Sequence, residues 1–144
     1  MYPDWMTKPL EGELTSIGVK ALKTPKDVEK ALEEKGTTLL VINSVCGCAA
    51  GSARPGVKLA LQDKIRPEKI VTVFAGVDLD AVAKARTYIP EYPPSSPSIA
   101  LFKDKKLVSF LQRENIQGKS AEGVAEQLKN IFEKHCRKKL SKFT

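Results

Sequence analysis

The chain has 144 residues, 42% of them hydrophobic, with 24 Lys and Arg against 17 Asp and Glu, a net charge of +7. That is the size of one domain able to build its own core, and three cysteines are too few for a disulfide-framed secreted fold. No stretch approaches the roughly 18 apolar residues of a membrane span, and the opening MYPDWMTKPLEGEL holds no apolar run of the signal-peptide kind.

In chain order, Met6, Leu10, Leu14 and Ile17 recur at spacings of one helix face and predict a helix over 6–18. Val19 to Leu22 reads as a short strand. Thr24-Pro25 opens a second helix as N-cap and first helical residue, and Gly36 fits its end. Thr37 to Asn43, TTLLVIN, is a short apolar run expected as a strand buried on both faces. It leads into SVCGCAAGSARPG and a helix reaching about Ile65, which Pro55 should kink. Lys69 to Ala75 is the next strand, and Asp78 or Asp80 caps a helix over 81–88. A proline-punctuated loop precedes the strand Ser98 to Phe102. Asp104-Lys105 makes a hairpin turn into Leu107 to Gln112. Ser120 caps a last helix striped by Val124, Leu128, Ile131 and Phe132.

This order describes a three-layer α/β/α sandwich around a mixed sheet, with a parallel βαβ part and an antiparallel edge. One domain spans 1–144. Residues 137–144 are expected as a frayed basic tail. No aromatic residues interleave with its cations, so no nucleic-acid partner is expected, nor a membrane partner. The expected compartment is the cytoplasm, where thiols are held reduced.

Cys46 and Cys48 stand where a buried strand gives way to a helix. A thiolate is the reactive form of cysteine, and unpaired N–H groups at a helix start favour negative charge. The C-terminal end of a central strand is also where sites gather in open α/β sheets. Gly47 lets the backbone bend and a substrate's backbone come close. With one residue between them, the two sulfurs close only a small, strained ring, which makes their disulfide easily reduced. Thiol exchange therefore suits the pair better than strong net reduction. Two other readings compete: small buried cysteines, or half of a zinc site completed by His135 and Cys136.

The segment VINSVCGCAAGSARPGV, followed by TVFAG and PSSPSIALFK, resembles the bacilliredoxin family of thioredoxin-fold proteins, over nearly the whole chain. The resemblance implies a thioredoxin-like fold and removal of the thiol bacillithiol from proteins that carry it as a mixed disulfide. It makes Cys46 the attacking thiolate and Cys48 the resolving thiol. No cofactor is implied, with bacillithiol as co-substrate and S-bacillithiolated client proteins as partners. It also implies a cis Pro97 facing the cysteines, with Ser96 offering backbone groups to the substrate. Arg54 is expected to meet an anionic substrate, since bacillithiol carries a pair of malate carboxylates. Cys136 is an auxiliary thiol candidate. Thioredoxin's buried acid, six residues before its first cysteine, has Leu40 in its place here. Protein disulfide isomerase or oxidase activity is the main alternative, ahead of a metal-binding or redox-sensing module.

Overall fold

The computed structural model describes residues 2–137. Its elements are α1 (Asp4–Thr15), β1 (Lys20–Ala21), α2 (Pro25–Leu32), β2 (Thr37–Asn43), α3 (Arg54–Ala60), β3 (Lys69–Phe74), α4 (Leu79–Arg86), β4 (Ser98–Lys103), β5 (Lys106–Leu111), α5 (Arg113–Ile116) and α6 (Ala121–His135). The five strands form one sheet in the order β1-β3-β2-β4-β5. β1 and β2 run parallel to β3, while β4 is antiparallel to both β2 and β5. The expected mixed α/β/α sandwich is therefore present.

β2 sits at the centre, and all seven of its residues are buried. A strand presents alternate side chains to opposite faces, and the core divides accordingly. Leu39 and Val41 pack with Ile99 and Leu101 under α1, α3 and α6. Leu40 and Ile42 pack with Val71, Val73 and Phe102 under α2 and α4. Burying each such side chain is worth about 1.5–3 kcal/mol. The layer of α3 against α6 is close. A Cβ on Gly56 would lie 2.6 Å from Val124 Cγ1 and 3.1 Å from the Ala121 carbonyl oxygen.

Local signals place most boundaries. The Thr24 side chain accepts a hydrogen bond from Asp27 N–H, and Ser120 Oγ accepts one from Gly123 N–H. Asp104 and Lys105 turn the hairpin with φ of 50° and 74°. Asp tolerates this left-handed conformation better than most residues. Asp104 is also held by Gly36, whose N–H donates to its Oδ1 at 2.8 Å.

Four details differ from expectation. The first helix ends at Thr15 rather than reaching residue 18, and Gly18 follows with φ of 96°. Asp78 stands at the N-cap of α4 but makes no side-chain cap. Its carboxylate accepts from Phe74 N–H and meets Lys23 instead. A one-turn helix, α5, follows the hairpin. The helix after the cysteines ends at Ala60, and its winding changes just before Pro55. Ala49–Ala53 form a π-helical turn in which Arg54 N–H reaches back five residues to the Ala49 carbonyl. Proline has no N–H to give, and its ring clashes with the carbonyl four residues back. A wider turn just before it relieves both problems.

Candidate active site

β2 ends at Asn43, and Ser44 and Val45 turn the chain into a helix that begins at Gly47. Cys46 occupies its N-cap, with its carbonyl accepting from the N–H groups of Ala49 (2.9 Å) and Ala50 (3.3 Å). Cys46 Sγ lies 2.8 Å from Cys48 Sγ, and both thiols are free and partly exposed.

The two sulfurs are not equivalent. The Cys46 thiol is held below its ordinary value chiefly by a hydrogen bond from Cys48 Sγ–H. The Cys48 N–H adds to this, burial opposes it, and the Arg113 charge and the Ala49 N–H contribute less. Cys48 is pushed up, first by burial and then by the hydrogen bond to and charge of Cys46. Helix-start N–H groups do act on Cys46, as expected, but the neighbouring thiol is the larger cause. One thiolate stabilised by one thiol is the state this geometry favours.

Strand register brings a second segment alongside. Ile42 pairs with Ser98 across β2 and β4. One step on, Asn43 and Ser44 therefore lie beside Pro97 and Ser96. The Ser96–Pro97 bond is cis, as the resemblance implied. Pro97 is buried and Ser96 half-buried. Their loop is pinned through the Ser95 carbonyl, which accepts from Ser98 Oγ (3.0 Å) and Arg86 Nη1 (3.3 Å).

Arg54 is used differently from the sequence expectation. It is 2% exposed and turned inward under the Asn43–Ser44 turn. Its Nη1 donates to Asn43 Oδ1 and to the Ser44 carbonyl, both at 2.9 Å, and its Nε donates to Glu13 Oε1 at 2.8 Å. Ser44 N–H donates to Asn43 Oδ1 (2.8 Å), and Cys46 N–H donates to Ser44 Oγ (3.0 Å). A continuous polar chain thus runs from α1 to the Cys46 backbone. Arg54 supports the turn from below, with its hydrogen-bonding edge committed to protein groups rather than open to an anion. The cation whose charge reaches both sulfurs is Arg113, a lesser cause than the thiol pair and burial, and its backbone N–H donates to Ser95 Oγ in the cis-proline loop. Sequence reasoning missed it. Carrying the hairpin register to the end of the sheet would have found it.

The sequence profile of a family described as disulphide isomerase matches residues 2–136. A bacilliredoxin of Cytophaga hutchinsonii is 50% identical over 92% of this chain and 98% of its own. One from Halalkalibacterium halodurans is 49% identical, over 94% and 96%. The chain belongs to the bacilliredoxin family. Among solved structures, a Halobacterium salinarum thioredoxin mutant aligns with TM-score 0.60 at 14% identity, covering 86% of this chain and 96% of that one. Fasciola hepatica thioredoxin aligns at 0.56 and 19%, covering 81% and 99%. The fold is thus thioredoxin-like, and family and fold together make this bacilliredoxin-family chain a thiol–disulfide oxidoreductase.

Two further residues of this bacilliredoxin-family chain lie away from the site. Cys136 lies near Thr37, at the start of β2, and burial pushes its thiol up. Cys46 lies beyond the other end of that strand, about 20 Å away at 3.3 Å per residue. His135 adjoins Cys136, so the two halves of the zinc site weighed from sequence are not brought together. Among the described residues, no three His, Cys, Asp or Glu side chains converge to hold a metal. Gly47 is exposed, and a Cβ there would meet nothing within 4 Å. The fold itself does not demand glycine at this position.

Proposed function

We propose that this protein removes bacillithiol from S-bacillithiolated client proteins, with Cys46 attacking and Cys48 resolving. The observation that carries the reading is the unequal thiol pair at the helix start beside cis Pro97. The Cys46 thiolate attacks the bacillithiol sulfur of the mixed disulfide. A Cys46–bacillithiol disulfide forms, and the client leaves as a thiolate that takes a proton. Cys48, losing its proton, then attacks Cys46 Sγ. Bacillithiol leaves as a thiolate, and the pair is left as a two-electron-oxidised disulfide. An external thiol reductant returns it to the dithiol. Leu40, fully buried and apolar, offers no base for the second step. The departing thiolate is the natural acceptor of the Cys48 proton. The Ser96 backbone is suited to pair with the client's chain in strand fashion, and the cytoplasm is the fitting compartment.

The test is release of bacillithiol from a modified client. Cys46→Ser abolishes it, and full activity in that variant refutes the assignment. Cys48→Ser slows resolution and accumulates a Cys46 mixed disulfide visible by mass spectrometry. The description of the matching family favours a second reading, isomerisation of protein disulfides by the same Cys46 thiolate. Refolding of a scrambled disulfide protein tests it, and absence of acceleration removes it.

A further inference from the structure

The site described so far accounts for sulfur chemistry but not for recognition of what the sulfur is attached to. Arg54, the cation expected to do this, is committed to the turn beneath Cys46. A different arginine stands on the rim. β5 ends at Leu111, which pairs with Ile99 of β4. Since Ile42 of β2 pairs with Ser98, β2 and β5 end and β4 begins at one end of the sheet. Two steps beyond the Ile99–Leu111 pair, Pro97 and Arg113 lie at the same level of the sheet. The Arg113 N–H donates to Ser95 Oγ at 3.4 Å, which attaches it to the cis-proline loop.

Arg113 is exposed. Among the described residues it belongs to none of the ion pairs, although Glu114 is its immediate neighbour in the chain. This is the reverse of Arg54, which is buried and bonded on both edges. An exposed guanidinium on the cis-proline side of the site, outside the ion pairs of the described residues, presents a planar fork of N–H donors, whose geometry matches a carboxylate.

We propose that Arg113 is the specificity-determining residue of the site, binding a carboxylate on the small-thiol half of the mixed disulfide. This rests on the reading of the protein as a remover of thiol caps. The bacillithiol of that reading carries two carboxylates, and an arginine on the rim selects such caps over neutral ones. The charge of Arg113 also acts on the sulfurs themselves, in keeping with its placement.

The experiment compares wild type with Arg113→Gln on one single-cysteine peptide. The peptide is capped in turn with bacillithiol, glutathione (both anionic) and 2-mercaptoethanol (neutral). Wild type prefers the anionic caps, and in Arg113→Gln the anionic-to-neutral ratio of kcat/KM falls about two- to fivefold, as for loss of an exposed charge pair. Using a ratio cancels any change in Cys46 ionisation, which affects every cap alike. In parallel, Cys46 is alkylated with iodoacetate and with iodoacetamide. The iodoacetate-to-iodoacetamide rate ratio falls by a similar factor in the variant. This second readout needs no cap-removing activity. If wild type releases no cap, the proposed function fails, while the alkylation ratio still tests Arg113. If wild type releases caps and both ratios are unchanged in Arg113→Gln, the inference alone is overturned. An equal fall in Lys119→Gln would assign the effect to general surface charge and overturn it too.

Discussion

Cys48 has two tasks that oppose each other. As a thiol it donates to Cys46 and holds the attacker ionised. To resolve the mixed disulfide it must itself lose that proton, which burial and the Cys46 charge resist while Cys46 is a thiolate. Once Cys46 is capped, its negative charge is gone, and one of those two obstacles disappears with it. The order of events thus follows from electrostatics alone. The sign of the coupling is testable. A depressed Cys46 value places the rise of its thiolate reactivity at lower pH than an ordinary thiol. Cys48→Ala removes the donor and shifts that rise to higher pH. Cys48→Ser retains an O–H donor and shifts it less. The pH profile of Cys46 modification by iodoacetamide, read by peptide mass, checks this. Coincident profiles for all three proteins would show that Cys48 does not stabilise the thiolate.

Among the elements, two glycines on the active-site helix have opposite requirements. Gly56 faces α6 so closely that Gly56→Ala must push Val124 or the Ala121 backbone aside. Overpacking of this kind costs about 1–3 kcal/mol, more than the helix propensity gained from alanine. A lowered Tm is expected. Gly47→Ala meets nothing and leaves Tm unchanged or slightly raised. If Gly47 serves close approach by a client, turnover of protein mixed disulfides falls in that variant while alkylation of Cys46 by small reagents persists. Thermal melts and the two rates together separate the roles. The strands and the cysteine-bearing junction were legible because TTLLVIN and KIVTVFA are apolar runs bounded by turn residues, and a buried parallel strand has no other pattern. The π-helical turn was not. Pro55 announces a conflict in the helix, but that a wider turn accommodates it depends on what packs around it. The inward course of Arg54 was equally hidden. Its partners Glu13 and Asn43 lie 41 and 11 residues away in sequence, and nothing local links them. The short helix α5 lacks the length for any periodic signal, so Arg113 at its start is reached only by following the hairpin past Leu111.

At the scale of the whole molecule, the sheet has a reactive pole and a quiet one. Cys46, Cys48, Pro97 and Arg113 gather at the C-terminal end of β2, and Cys136 sits at the other. A rigid central strand separates them, so Cys136 cannot resolve a Cys46 adduct within one chain. Mass mapping of mildly oxidised protein should find Cys46 linked to Cys48 and no intrachain link from either to Cys136. Cys136→Ser should leave cap release unchanged. A Cys46–Cys136 disulfide in the monomer would contradict the fold described. The expected basic tail falls almost wholly in residues 138–144, outside the described residues, although Arg137 pairs with Glu133 at its root.

The Glu13 carboxylate that meets Arg54 has a consequence for biosynthesis. It comes from α1, so a helix translated earlier supplies the counter-ion for Arg54, 41 residues further along the chain. Until α1 docks, the guanidinium beneath Cys46 lacks that partner and the turn is held from one side only. Docking of α1 therefore completes the support beneath the thiol pair, which joins two segments distant in sequence.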